Sequence, residues 1–300
     1  MFLKRLKINQ LILFMSVASL AFYGCGGSGE GDEDKPKVVI DSNKTDIINI
    51  GGALFSIPSP IQTSILLKKT GANYNKEILN STKSSANYST NFKKAVNLGV
   101  YGADLGYVNI YEQTQDAIGY LQAVKKMGDD LGVSGAFDAT LMKRFEANLG
   151  NKDSLLGLVS SAYRASDAYL KNNERNDVSG LIIAGGWVES LYFSTKIAEK
   201  NKGNKDVIQR IAEQKNALDN LIKLLTPYYQ DPEYTEFIDA LIDLAYDFDG
   251  IEMKYTFVAP TTDAKNKITT INSKSEIVIT DDQLKAITEK VDKIRTSIIG

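Results

Sequence analysis

The side chains able to do chemistry in this 300-residue sequence are carboxylates, tyrosines, lysines and serines, because it contains no histidine and a single cysteine, Cys25. Without imidazole there is no Ser-His-acid or Cys-His triad, and no zinc site built on histidine. Glu112 and Asp116 lie one helical turn apart, and two acids flanking a glycosidic bond are the apparatus of sugar hydrolysis. A solvated helix face carries the same spacing equally often, and no second motif joins this one, so no catalytic residue is assigned. Asp243, Asp247, Asp249, Gly250 and Glu252 suggest a calcium loop. With Gly250 at its sixth position, such a loop requires an acid at 245 and a glutamate at 256. The residues there are Ala245 and Thr256, so no metal and no cofactor are expected.

A binding site is the stronger candidate. Gly99, Gly102 and Gly106 recur at spacings of three and four within LGVYGADLGYVNIYEQ, residues 98–113, and thus share one helix face. Each costs a helix about 0.8–1 kcal/mol relative to alanine. A second glycine-bearing helix contains Ala184-Gly185-Gly186-Trp187. Close packing of these two helices would offset the cost, and this is the preferred reading, since apolar helix stripes are usually core. The sharper reading is a ligand lying on the exposed backbone, with Tyr107, Tyr111 and Trp187 as walls and Asp104, Glu112 and Glu189 as polar contacts.

The elements that must hold these residues are mostly helical. Ser59-Pro60 opens a helix over 60–70 that Gly71 stops, and the polar stretch 79–90 reads as a loop. Thr90 to Leu131 reads as helix, with Ala117, Tyr120, Leu121, Val124, Met127 and Leu131 on one buried face. Further helices follow over 137–149, around Leu155 to Tyr169, over 178–200, along Ile208 to Leu225, and after the Asp231-Pro232 cap. Lys37–Ile40 and Ile47–Ile50 are short β-like runs. Met253–Val258 and Glu276–Thr280 read as strands around a polar loop, before Thr280-Asp-Asp-Gln283 resembles a capping box for a last helix. The expected fold is therefore mainly all-α, a multi-helix antiparallel bundle or short α-solenoid with a small C-terminal β-hairpin and a final helix.

The amino terminus bears on location. Lys4, Arg5 and Lys7 precede an apolar run from Leu11 to Tyr23, which is shorter than the roughly 20 residues of a membrane span and reads as a secretory signal. Phe22-Tyr23-Gly24-Cys25 resembles the lipobox of bacterial lipoproteins, with Gly24 as the small residue before the cut, although Phe22 and Tyr23 depart from the usual pattern. The resemblance implies cleavage before Cys25 and acylation of its thiol. Residues 1–24 are then the signal peptide, 25–44 a flexible acidic tether rich in glycine, and 45–300 the helical globular domain. Removing residues 1–24 takes three cations and no acid, moving the net charge from −2 to −5. A chain so balanced lacks the basic face that nucleic acid requires.

Asp32-Glu33-Asp34 looks like the surface-export signals of Bacteroidota lipoproteins. The stretches SIPSP, GADLGYVNIYEQTQDA and AGGWVESLY together resemble Bacteroidota lipoproteins that carry no assigned activity and supply no catalytic residues. The resemblance implies an outer-membrane protein, on the cell surface or facing the periplasm, with the membrane as one partner through lipidated Cys25. The other partner is expected to be a protein or small-molecule ligand. A non-enzymatic binding or accessory module is the first reading of function, and a carboxylate-dependent hydrolase of envelope or external polysaccharide is the alternative.

Overall fold

Proline fixes φ near the helical value and forfeits an N–H that the first turn leaves unpaired anyway. Accordingly Pro60 opens α1 (Pro60–Lys69), and Gly71, at φ +81°, turns the chain out of it. The computed structural model describes residues 46–50, 53–133, 139–148, 172–201, 203–265 and 267–300, with scattered positions between 151 and 170. These belong to one unit, Val38–Gly300. Lys37–Ile40, most of the helix read around Leu155 to Tyr169, and the whole amino terminus lie outside the described residues.

Strands β1 (Asp46–Ile50) and β2 (Ala53–Ile57) pair antiparallel across Gly51-Gly52. Two short 3₁₀ turns, Lys76–Ile78 and Thr82–Ala86, occupy the polar stretch before α2 (Asn91–Ile110), which Thr90 caps by accepting from the Lys93 amide. The helix read as continuous to Leu131 is broken. It stops at Tyr111, Glu112 takes φ +60°, and α3 (Thr114–Asp130) begins anew. Next come α4 (Ala139–Ala147) and α5 (Asn176–Lys200). The face along Ile208 to Leu225 is likewise two helices, α6 (Lys205–Ala212) and α7 (Lys215–Leu225).

Asp231 caps α8 (Pro232–Asp249), its carboxylate accepting from the Glu233 amide. Strand β3 (Glu252–Thr256) pairs with β6 (Lys274–Val278), and the loop between them contains a second ribbon, β4 (Thr261–Asp263) with β5 (Ile268–Thr270). The capping box is present in full. The Thr280 hydroxyl accepts from the Gln283 amide and the Gln283 side chain accepts from the Thr280 amide, opening α9 (Asp281–Ile299). The fold is thus mainly helical, with the expected C-terminal hairpin and final helix.

Helices α2 and α5 form its centre. Every residue of α2 from Ala95 to Ile110 is buried, and α1, α3, α5 and α9 all pack on it. At the α2–α5 crossing a Cβ on Gly99 would stand 2.0 Å from the Ile182 carbonyl oxygen, and one on Gly185 would stand 1.8 Å from that of Val96. Both neighbours are backbone, so no rotamer change relieves the clash. This contact offsets the helix cost of the two glycines.

Alanine at either position must force the helices apart. Overpacking costs about 1–3 kcal/mol where side chains can give, and more where they cannot. Gly99→Ala and Gly185→Ala are therefore expected to lose about 3 kcal/mol or more in urea denaturation. Gly203→Ala, whose Cβ meets nothing within 4 Å, should stay within about 0.5 kcal/mol of the parent. Equal midpoints for Gly185→Ala and Gly203→Ala would contradict the crossing.

Candidate functional site

The crossing brings Asp104 of α2 and Glu189 of α5 into the core, both fully buried. Arg295 of α9 meets Glu189 with a two-pronged contact, its Nε donating to Oε2 at 2.7 Å and its Nη2 to Oε1 at 2.7 Å. Nη2 also donates to the Ile78 carbonyl at 3.0 Å, and the guanidinium lies 4.0 Å from the centre of the Tyr192 ring. Asp104 accepts from the Asn80 amide at 3.3 Å through Oδ2, and its carboxyl stands within hydrogen-bonding reach of Glu189, to which a protonated Asp104 donates.

Two buried carboxyls therefore face one guanidinium. Burial raises the pKa of both, and Glu189 raises that of Asp104 further, against the lowering effect of Arg295 and the Asn80 amide. Burial also opposes the charge on Arg295, but the Glu189 carboxylate outweighs it and holds the guanidinium pKa above its ordinary value. The direct ion pair keeps the negative charge on Glu189, so the proton of this coupled set resides on Asp104. A neutral Asp104 leaves the cluster without net charge, as a dry interior requires.

At the carboxyl end of α2, Tyr107 packs at a tilt against Tyr111 (centroids 4.6 Å apart) and Phe193 (4.8 Å) and stacks with Tyr74 (5.7 Å). The Asn75 amide donates to the Tyr107 hydroxyl at 3.1 Å. The Lys68 ammonium donates to the Ile110 carbonyl at 2.7 Å and to Glu112 at 2.8 Å, placing a cation where the helix dipole favours one. Asp116 accepts from the Tyr74 hydroxyl at 2.7 Å and pairs with Lys76. Burial opposes its charge more than any single partner favours it, but Lys76 and Tyr74 together outweigh burial and hold its carboxyl below the usual value.

The residues read as ligand contacts are thus distributed over four places. Asp104 and Glu189 meet in the buried cluster, and the Tyr107 and Tyr111 rings pack together at a tilt. Glu112 stands exposed at the α2–α3 corner, and Trp187 donates through Nε1 to Gln214 at 3.1 Å. Cys25 lies outside the described residues. Sequence reading missed Arg295, Asn80 and Tyr74. Arg295 had left a signal, since it follows Ile287 and Val291 at spacings of four on the apolar stripe of α9. A cation on such a stripe needs a buried anion.

An open groove of about 310 Å³ runs between α8, α9 and the start of α2. Phe92, Phe237, Ala240, Ile294 and Ile298 supply apolar lining, with Lys93, Lys290, Lys293, Glu233, Glu236 and Asp243 around it. The acids considered for calcium are engaged by cations: Lys290 pairs with Asp243 at 3.0 Å and Asp247 at 2.9 Å, and Lys215 with Asp249 at 3.0 Å.

Substitution separates the two carboxyls. Folded Asp104 keeps a proton that the unfolded chain loses near pH 3.9, so its contribution to stability falls as pH rises from there. Asp104→Asn supplies a neutral group at every pH. It should be at least as stable as the parent at pH 7, with the difference between them closing as pH falls toward 4. Glu189→Gln strands the Arg295 charge and should cost about 3–5 kcal/mol. Thermal melts across this pH range check both, and an Asp104→Asn variant severely destabilised at neutral pH would contradict the assignment of the proton.

No protein-family model, curated protein or solved structure matches this chain, so its functional reading rests on residues and geometry.

Proposed function

We propose that this chain is a lipid-anchored protein of the bacterial outer membrane, acylated at Cys25, whose helical domain is a non-enzymatic binding or accessory module for a protein or small-molecule partner. The observation that carries the module reading is how the candidate carboxylates are engaged. Asp104 and Glu189 are sealed in the core with Arg295, Glu112 is paired with Lys68, and Asp116 with Lys76 and Tyr74. General acid–base catalysis requires a carboxyl within reach of the substrate's proton. Side chains committed to holding helices together serve a scaffold instead. The apolar groove beside α8 and α9, rimmed by charges of both signs, supports a binding role.

The anchor rests on the sequence. Three cations, an apolar run too short for a comfortable span and Gly24-Cys25 are followed by the Gly- and Asp/Glu-rich stretch 26–34. One acyl chain alone binds membranes marginally, and several anchor firmly. Among the described residues no helix is long and apolar enough to cross a membrane.

Metabolic labelling with a palmitate analogue, in the parent and in Cys25→Ala, tests the anchor. Label is expected in the parent and not in the variant. Protease treatment of intact cells then distinguishes the cell surface from the periplasmic face. Label on both proteins, or on neither, would overturn the lipoprotein assignment.

A further inference from the structure

We propose that the β3–β6 ribbon is a second membrane contact, docking its apolar side chains and lysines onto an anionic lipid surface. From Glu252 to Ile271 every described side chain on this ribbon is exposed. Five of them are large and apolar: Tyr255 at 65%, Phe257 at 70%, Val258 at 41%, Ile268 at 57% and Ile271 at 79%. Elsewhere in the domain exposed side chains of this size are scattered, as at Leu54 and Tyr246, whereas here they lie within 17 residues of chain. Exposed apolar side chains concentrated in one segment mark a candidate interaction surface.

Charge indicates what covers it. The strands β3 and β6 balance their own charges, Lys254 and Lys274 against Glu252 and Glu276, with Lys254 paired to Glu252 at 3.7 Å. From Phe257 to Lys274, however, three lysines, Lys265, Lys267 and Lys274, stand against one acid, Asp263, in a chain whose net charge is −2. Lys265, Lys267 and Lys274 enter no ion pair among the described residues. Aromatic and aliphatic side chains interleaved with unpaired lysines suit the boundary between headgroups and acyl chains of an anionic leaflet.

The backbone is prepared for such a medium. Where the ladder lapses between the two paired segments, side chains stand in for it. The Val258 amide donates to the Ser273 hydroxyl, which donates to the Val258 carbonyl, both at 3.2 Å, and the Asn272 amide group donates to the Ala259 carbonyl at 3.0 Å. Internal satisfaction of this kind is what a weakly hydrated environment demands. A second copy adding a strand is less suited. The ladder runs only five and three residues, and Pro260 and the lysines blunt its edges.

The contact does not depend on Cys25 and can be tested without it. In the full chain carrying Cys25→Ala and Ile271→Cys, the sole thiol sits on the ribbon and can carry an environment-sensitive fluorophore. A sister protein with the probe at Lys285→Cys, an exposed site on α9, is the control. With vesicles of equal parts phosphatidylglycerol and phosphatidylcholine, the probe at 271 should brighten and shift to the blue while that at 285 does not. Phosphatidylcholine alone should give no shift at 271. Each lysine near an anionic surface contributes about fivefold to partitioning, so Lys265→Gln with Lys267→Gln should weaken it roughly thirtyfold. An unmoved probe at 271 would overturn the proposal, as would an equal response to uncharged vesicles. A shift that grows with protein concentration in the absence of vesicles would overturn it in favour of self-association.

Discussion

Where α2 crosses α5, backbone meets backbone. The absence of side-chain atoms at Gly99 and Gly185 sets the distance between the two central helices, and the chemistry of the core follows from it. Asp104 lies five residues beyond Gly99 and Glu189 four beyond Gly185, about 6–8 Å along each axis at 1.5 Å per residue. Helices held this close bring their carboxyls together in a region without water. That arrangement cannot persist with two negative charges. It requires a cation and a proton, which Arg295 and Asp104 supply.

Arg295 extends the constraint to the rest of the domain. By gripping Glu189, the Ile78 carbonyl and the Tyr192 ring together, it joins α9 to α5 and to the segment that wraps over α2. That segment is fastened by further bonds from the core, the Tyr101 hydroxyl to the Ser81 carbonyl at 2.7 Å and the Tyr120 hydroxyl to the Asn80 carbonyl at 2.8 Å. Lys196 on α5 adds a contact of 2.6 Å to Asp292 on α9. Once α9 is placed, α8 packs beside it, the groove between them is defined, and the ribbon is the stretch of chain that joins the two helices. A rigid frame with peripheral contact surfaces accords with the binding role proposed.

Element ends were legible in the sequence wherever a residue's own chemistry marks them. Pro60, Gly71, Asp231-Pro232 and Thr280-Asp-Asp-Gln283 each stand where a helix starts or stops. The breaks at Tyr111–Gln113 and Glu213–Gln214 were not, because apolar periodicity runs across both and no glycine or proline interrupts it. Glu112 takes a left-handed conformation that its residue type does not advertise. The β4–β5 ribbon was hidden for the opposite reason, since its short, threonine-rich strands look like a polar loop. In the site, Asp104 and Glu189 could be singled out as unusual acids on glycine helices. Their burial could not, because it depends on Arg295, 106 positions beyond Glu189 in the chain. Trp187 was grouped with Tyr107 by sequence proximity to the glycines, yet two residues along a helix from Gly185 turns the side chain about 200° away.

Native-state hydrogen exchange resolved by residue tests most directly whether the α2–α5 crossing and its buried ion pair are the last structure to open. The result expected is that amides of residues 96–108 and 182–193 exchange only through global unfolding, with an opening free energy equal to that from denaturant titration, while those of the ribbon exchange orders of magnitude faster. Exchange of the α2 and α5 amides through local openings, at free energies below those of α3 or α8, would contradict it.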